Sequence, residues 1–368
     1  MPVWSLYNNC QEAGPCMQSV KHIVLLSPGF ARDETDTTCL TFLQDYALAL
    51  KRLEPALQFE ILSLQYPFDR GEYRWNDIPV FSAQGKNSKY LRRLPTWWKM
   101  FRKLRALNRK NRIDVIHAFW LTETSFLAHL FHLFYGTRVV AYAIGQDSIP
   151  ANRYLHYPGI RKLRIIAMSE QIKTNLYHLG LPVDRIIHLG IDNKKLRPSH
   201  ELRSIDVVGI GSLTSLKNFG LFIQVIADVK AVFPNIRAEI IGEGPQHQLL
   251  QDQINQLGLE KQMLLTGNLS HDRVFEKLGQ AKLLMHTSSF EGQSTVMMEA
   301  LASGCQVLCF DVGRVHHAQK IHVCRDQAHM GEALTRLLRD KTLDHTPVIQ
   351  HSTEDMVREF MAAYANTN

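Results

Sequence analysis

Short apolar runs alternate with amphipathic stretches along the chain, and this alternation constrains the fold more than any other feature. HIVLLSPGF (22–30), VIHAF (115–119), VVAYAIG (139–145) and IIAMS (165–169) are apolar runs closed by polar or turn residues. Runs apolar throughout, and not at every second position, predict strands buried on both faces in a parallel sheet covered by helices. The first run leads into a predicted helix over 36–52, with Leu40, Leu43, Ala47 and Leu50 on one stripe. A second series follows: IDVVGIG (205–211), IRAEIIGEG (236–244), QMLLTG (262–267), KLLMHT (282–287) and QVLCF (306–310). Between the two series lies GIDNKKLRPSHELR (190–203), polar and interrupted by proline, which marks a domain boundary.

The expected architecture is α/β, with two Rossmann-like domains at 21–195 and 203–345. A short tail (1–20) precedes them. A final helix over 352–366 follows, with Ser352 as N-cap and Met356, Phe360 and Met361 forming its apolar stripe. Two parallel sheets facing each other leave a cleft at their strand C-terminal ends, where open α/β sheets bind ligands. A length of 368 residues suits two domains. The six cysteines lack metal-ligand spacing, which argues for reduced thiols and a cytoplasmic setting. The first residues carry acid and amide side chains where a targeting sequence is apolar. The apolar stretch 126–144 is interrupted by His129, His132, Gly136 and Arg138, so it reads as helix, turn and strand instead of a membrane span.

FEGQSTVMMEALASG (290–304) carries the chemistry. Ser294 is a good N-cap and Gly304 a good C-terminal stop, so a helix of about three turns fits between two strands. Its start lies at a strand C-terminal end, and its free amides and positive dipole end point into the cleft. Gly292 admits close approach of a ligand to the backbone. A diphosphate held at the amides of Ser294, Thr295 and Val296 would have Glu291 on one flank and Glu299 on the other. Carboxylates accept hydrogen bonds from vicinal hydroxyls, and a nucleotide sugar offers these on both sides of its diphosphate.

This segment resembles the E-x7-E motif of the family-4 retaining glycosyltransferases, which have the GT-B fold, and the resemblance extends over nearly the whole chain. GSLTSLKNF (211–219) looks like the family's glycine-to-lysine loop, with Lys217 at the lysine that holds the donor diphosphate. IIGEGP (240–245) is similar to its Gly-Asp-Gly-Pro turn. LLTGNLS (264–270) is similar to the strand and loop that cradle the base, which puts Asn268 and Leu269 against the nucleotide. SPGF resembles the first glycine loop, with Gly29 near the donor. DVIHAFW (114–120) resembles the strand that bears a histidine, here His117, and IIHLGIDNKKLRP (186–198) the segment joining the domains. Four positions depart from the pattern: Ser212 replaces an arginine, Gln293-Ser294 a Phe-Gly, and Gln306 a proline.

The resemblance implies sugar transfer with retained configuration, the donor phosphate taking the acceptor's proton. Lys217, Glu291 and His117 are then the catalytic candidates. Gly29, Ser212, Asn268, Leu269, Gly292, Gln293, Ser294, Thr295, Val296 and Glu299 are the candidates for holding the donor. His117 is equally a candidate core histidine and Gly29 a plain turn residue, while Asp147 follows a strand where it can meet sugar or acceptor. No cofactor is expected; a UDP- or GDP-linked sugar is the donor substrate. No D-x-D occurs, so no metal is expected to bridge the diphosphate.

Between Asp77 and Asp114 the chain carries eleven lysines and arginines and no acidic residue. PTWWKMFRKLRALNRK (95–110) reads as a helix with Trp97, Met100, Phe101, Leu104 and Leu107 on one face. It is either an ordinary core-facing helix or a contact with an anionic membrane, holding the enzyme at the inner face near a lipid-linked acceptor. The charge is one block without a recognised nucleic-acid module, so no nucleic-acid partner is expected. A dinucleotide oxidoreductase is disfavoured because Thr214 and His247 stand where a third glycine belongs. The expected function is a glycosyltransferase acting on a saccharide or lipid-linked acceptor in bacterial surface polysaccharide or glycolipid synthesis. An epimerase of the same fold or a non-catalytic scaffold are the alternatives.

Overall fold

The computed structural model describes residues 20–88, 90–196, 203–312 and 320–365. The predicted tail except its last residue, the middle of the polar boundary stretch and Asn366 lie outside the described residues. The first sheet contains β1 (His22–Gly29), β2 (Gln58–Tyr66), β3 (Glu72–Trp75), β4 (Ile78–Ser82), β5 (Val115–Phe119), β6 (Arg138–Ala143), β7 (Arg164–Ala167) and β8 (Arg185–Ile186). Their spatial order is β3-β4-β2-β1-β5-β6-β7-β8, all parallel except the edge strand β3. The second sheet contains β9 (Ile205–Ile210), β10 (Ala238–Ile241), β11 (Met263–Gly267), β12 (Ala281–His286), β13 (Gln306–Phe310) and β14 (Ile321–Cys324). Its order is β11-β10-β9-β12-β13-β14, and every described pairing is parallel.

Helices cover both sheets. The first is flanked by α1 (Thr41–Leu53), α2 (Leu94–Lys110), α3 (Glu123–Tyr135) and α4 (Glu170–His178). The second is flanked by α5 (Phe219–Lys230), α6 (His247–Gln256), α7 (His271–Gln280), α8 (Thr295–Ala302) and α9 (Gln327–Arg339). The central strands β1, β5 and β6 are almost wholly buried, as continuous apolar runs require. No helix among the described residues is long and apolar enough to cross a membrane.

The helix predicted from residue 36 begins only at Thr41. Asp36 instead organises a turn: its carboxylate accepts the backbone N–H groups of Arg32, Thr38 and Cys39 and the Tyr66 hydroxyl. An aspartate that captures local amides offers the backbone an alternative to the helix.

The last helix, α10 (Thr353–Ala365), returns to the first domain, where Met356, Val357, Phe360, Ala363 and Tyr364 join the core built on β1, β5 and α1. The chain crosses itself to get there. Ile191 pairs with Ser352, and a side chain on Gly190 would place its Cβ 2.3 Å from the Ser352 carbonyl oxygen. Arg138 and Arg164 donate to the last carbonyls of α10, at Tyr364 and Ala363, satisfying groups that a helix end leaves open.

His117, expected as a candidate sugar contact, belongs to this core, which corrects that reading. It has no solvent exposure and stacks on Phe119 with ring centroids 4.0 Å apart. Its Nδ1 lies 2.6 Å from the Tyr364 hydroxyl, which is 2.8 Å from that of Tyr46. Burial holds the imidazole neutral, with its pKa pushed down to about 3 from 6.5. The unfolded chain therefore takes up a proton below pH 6.5 that the folded chain refuses, so stability is full above 6.5 and falls as pH drops toward 3. Urea denaturation between pH 7 and 5 checks this. The loss of stability with falling pH should be steeper in the wild type than in His117→Phe by a slope approaching one proton, and parallel curves would contradict it.

Candidate functional site

The site is built from loops that leave the C-terminal ends of β9, β10, β11 and β12. The β9 loop (211–218) is clamped on two sides. Leu213 N–H donates to the Glu243 carbonyl and the Leu213 carbonyl accepts from Gln246 N–H, which joins it to the β10 loop. The Thr287 hydroxyl and the Ser289 N–H donate to the carbonyls of Lys217 and Leu216, which joins it to the β12 loop. The β9 and β10 loops touch where only glycine fits: Gly242 has φ +146°, and a Cβ there would stand 1.9 Å from the Gly211 carbonyl oxygen.

This clamp sets Lys217 against the start of α8. Its Nζ pairs with Glu291 Oε1, which also accepts the Nε2–H of His286 at 3.1 Å. His286 is buried at the end of β12, and its Nε2 also lies 3.2 Å from the Ser294 hydroxyl. Burial alone would raise the Glu291 pKa, but the His286 hydrogen bond and the Lys217 charge outweigh it and hold the carboxyl at about 2. Glu291 is thus an anion at neutral pH with a cation beside it. Ser294 caps α8 as expected, its hydroxyl accepting from Met297 N–H. The Thr295 and Val296 amides remain as first-turn donors at the positive end of the helix.

Glu299 lies one turn further along α8, 6% exposed. Its Oε1 accepts the Nε2–H of His271, the first residue of α7, at 2.7 Å. Asn268 and Leu269 lie in the β11 loop; Asn268 is exposed, and Leu269 packs beside the core that α8 covers. Ser212 is exposed and supplies no cation.

Three expected contacts are reassigned by the geometry. The space left by Gly292 is filled by the first domain: a Cβ there would stand 2.5 Å from the Ile144 carbonyl oxygen, and the Gly292 carbonyl accepts from the Ser169 hydroxyl. Gln293 is spent likewise, its Oε1 accepting from Leu189 N–H at 3.0 Å. Asp147 is buried and its carboxylate accepts from the N–H groups of Leu121, Ile144 and Gly145. It shapes two cleft loops and has no side left for a sugar. At Gly29 a Cβ would make only ordinary contact with Tyr66 at 3.6 Å, so the packing of the protein itself does not require the glycine.

Two residues escaped the sequence reading. His286 was visible as the one titratable side chain ending the apolar run KLLMHT, a position facing the cleft. His271 carried no such signal, since its partner Glu299 is 28 positions away.

Residues 192–348 match the family described as glycosyl transferases group 1. Among curated proteins, the chain is 24% identical over 238 residues to a phosphatidylinositol N-acetylglucosaminyltransferase subunit of Arabidopsis thaliana, covering 60% of this chain and 52% of that one. The chain thus spans about half the length of the curated relatives it matches. Among solved structures it resembles sucrose-phosphate synthase from Thermosynechococcus elongatus, with TM-score 0.71, 14% identity, and 94% of this chain and 95% of that one covered. It also resembles Anabaena HepE in complex with UDP and glucose, with TM-score 0.69, 16% identity, and 94% and 96% covered. Two parallel sheets, the returning C-terminal helix and the matched segment lead to one assignment: the chain has the GT-B fold, and its residues 192–348 match the glycosyl transferases group 1 family.

Proposed function

We propose that this protein is a glycosyltransferase that moves a sugar from a nucleoside diphosphate sugar to a saccharide or lipid-linked acceptor, with retention and without a metal. The observation that carries the reading is Lys217, paired with an ionised Glu291 at the amide-bearing start of α8. An incoming diphosphate would take over Lys217 and the Thr295 and Val296 amides, which offset the charge that develops on the leaving group. In the transfer, the bond from the anomeric carbon to the phosphate oxygen breaks. The acceptor oxygen bonds that carbon on the same face, and its proton passes to the departing phosphate. Glu291 and Glu299 would accept from hydroxyls on the hexose and ribose sides. The UDP bound in the HepE structure makes UDP the first nucleotide to test.

The acceptor side of the reading rests on α2. Its expected apolar face is spent in the core, with Met100 and Leu104 buried and Trp97, Phe101 and Leu107 packed beside them. A different set stays in solvent: Leu91, Leu94 and Trp98 are 79%, 52% and 60% exposed. Lys99 and Arg102 stand among them without a carboxylate partner among the described residues. The Arg102 guanidinium lies 4.5 Å over the Trp98 ring, and exposed apolar side chains interleaved with cations that lack a carboxylate partner suit the surface of an anionic bilayer. This favours a peripheral enzyme at the cytoplasmic face, serving bacterial surface polysaccharide or glycolipid synthesis.

Two outcomes follow. In a thermal-shift panel of UDP, GDP, ADP, their sugar conjugates and NAD, one nucleoside diphosphate should stabilise the protein. The gain is about 2.7 kcal/mol at a hundredfold excess over Kd, and it should disappear in Lys217→Ala and in Glu299→Ala. A shift with NAD alone, or with nothing, would overturn the transferase reading. In sedimentation with vesicles, phosphatidylglycerol should retain the protein and phosphatidylcholine should not. Leu94→Ser with Trp98→Ser should release it; equal retention on both lipids, or retention on neither, would overturn the contact with an anionic membrane.

A further inference from the structure

Glu299 is the end of a chain of polar contacts that begins in the other domain. Asp45, on α1, is buried, and its Oδ1 accepts from Lys195 Nζ at 2.5 Å. Lys195 lies in the segment that joins the two domains, and its Nζ is 3.2 Å from His271 Nδ1. An ammonium only donates, so Nδ1 accepts and the ring proton sits on Nε2. That proton is the one given to Glu299 Oε1 at 2.7 Å, so the tautomer of His271 is set by Lys195. The Phe275 ring, 5.0 Å from the imidazole, backs it within α7. The His271 and Glu299 side chains are 11% and 8% exposed, so the contact is held largely out of water. The other Glu299 oxygen, Oε2, has no hydrogen-bond partner among the described residues.

We infer that His271 is a positioning residue for nucleotide ribose recognition, and that Lys195 and the first-domain carboxylate Asp45 hold it in that role. The inference rests on the reading of Glu299 as the ribose-side carboxylate. One oxygen is fixed by a donor of determined direction, which leaves the second unpaired for a vicinal diol. A carboxylate so fixed loses little freedom when a hydroxyl arrives. Without His271 the buried carboxylate keeps its desolvation cost, loses its donor and turns between rotamers, so the ribose is held less well. Because the chain runs through Lys195 to Asp45, the nucleotide pocket of the second domain is completed by a group from the first. Affinity for the nucleotide then depends on how the domains are set against each other, through named atoms and not only through closure of the cleft.

Isothermal titration with UDP and with 2′,3′-dideoxyuridine diphosphate tests this, or with the guanosine pair if that is the base that binds. Wild type should bind the ribonucleotide the more tightly. His271→Phe should weaken the ribonucleotide about tenfold and leave the dideoxy compound nearly unchanged, so the preference collapses. His271→Gln, which can both accept from Lys195 and donate to Glu299, should restore most of it. Asp45→Asn, remote from the pocket, should lower the preference in the same direction. Equal weakening of both nucleotides in His271→Phe would make the histidine merely structural and overturn the inference. So would an unchanged preference in both His271→Phe and Asp45→Asn. Failure of every nucleoside diphosphate to bind the wild type would instead bring down the transferase reading, and the inference with it.

Discussion

An ionised carboxylate in a largely dry position organises the working face of the second domain. Glu291 has been withdrawn from water, which costs free energy unless charge and hydrogen bonds offset it. The offset comes from two elements at once, Lys217 from the β9 loop and His286 from the end of β12. Removing either leaves the buried charge short of a partner. This is why the β9 and β12 loops are also stitched by backbone contacts at Leu216 and Lys217. The glycines that let the β9 and β10 loops touch complete the same scaffold. The result is a cation, an anion and a helix N-terminus held within one small region before any ligand is present.

The two domains are joined by more than the connecting segment. The returning helix α10 is part of the first domain's core, so the chain's last described residues stabilise the domain built by its first strands. The β12–α8 loop touches the first domain through Gly292 and Gln293, while Asp147 and Ser169 shape the surface it meets. Loops that a ligand must displace or pass are therefore partly engaged across the cleft. Binding and domain arrangement share the same atoms, which gives their coupling a physical route.

Much of the architecture was legible in the sequence because it follows from period and punctuation. Continuous apolar runs such as HIVLL and VVAYA are buried on both faces, and Ser294 and Gly304 bracket α8 as their conformational preferences require. Misreadings occurred where a side chain's partner is distant in sequence or where two outcomes share one pattern. His117 looks the same on a strand whether it faces a cleft or a core. Its fate is decided by Tyr364, 247 positions away. Asp147 looks like a cleft acid until its three backbone donors are placed around it. Asp36 reads as the first turn of a helix, yet local amides claim its carboxylate. For Gly292, the sequence said that the backbone must be approached closely, but not that the first domain does the approaching. His271 was unreadable for the same reason, since nothing near it in sequence reveals Glu299 or Lys195.

Where a nucleotide's phosphates come to rest decides whether the start of α8 is the donor site. A crystal structure of the protein soaked with UDP, or with the nucleoside diphosphate that binds, measures this directly. The expected result is a diphosphate within hydrogen-bond reach of the Thr295 and Val296 amides, with Lys217 Nζ turned from Glu291 toward phosphate oxygen and the ribose hydroxyls on Glu299. A nucleotide bound elsewhere, or bound with the Lys217–Glu291 pair intact and no phosphate at α8, would contradict it.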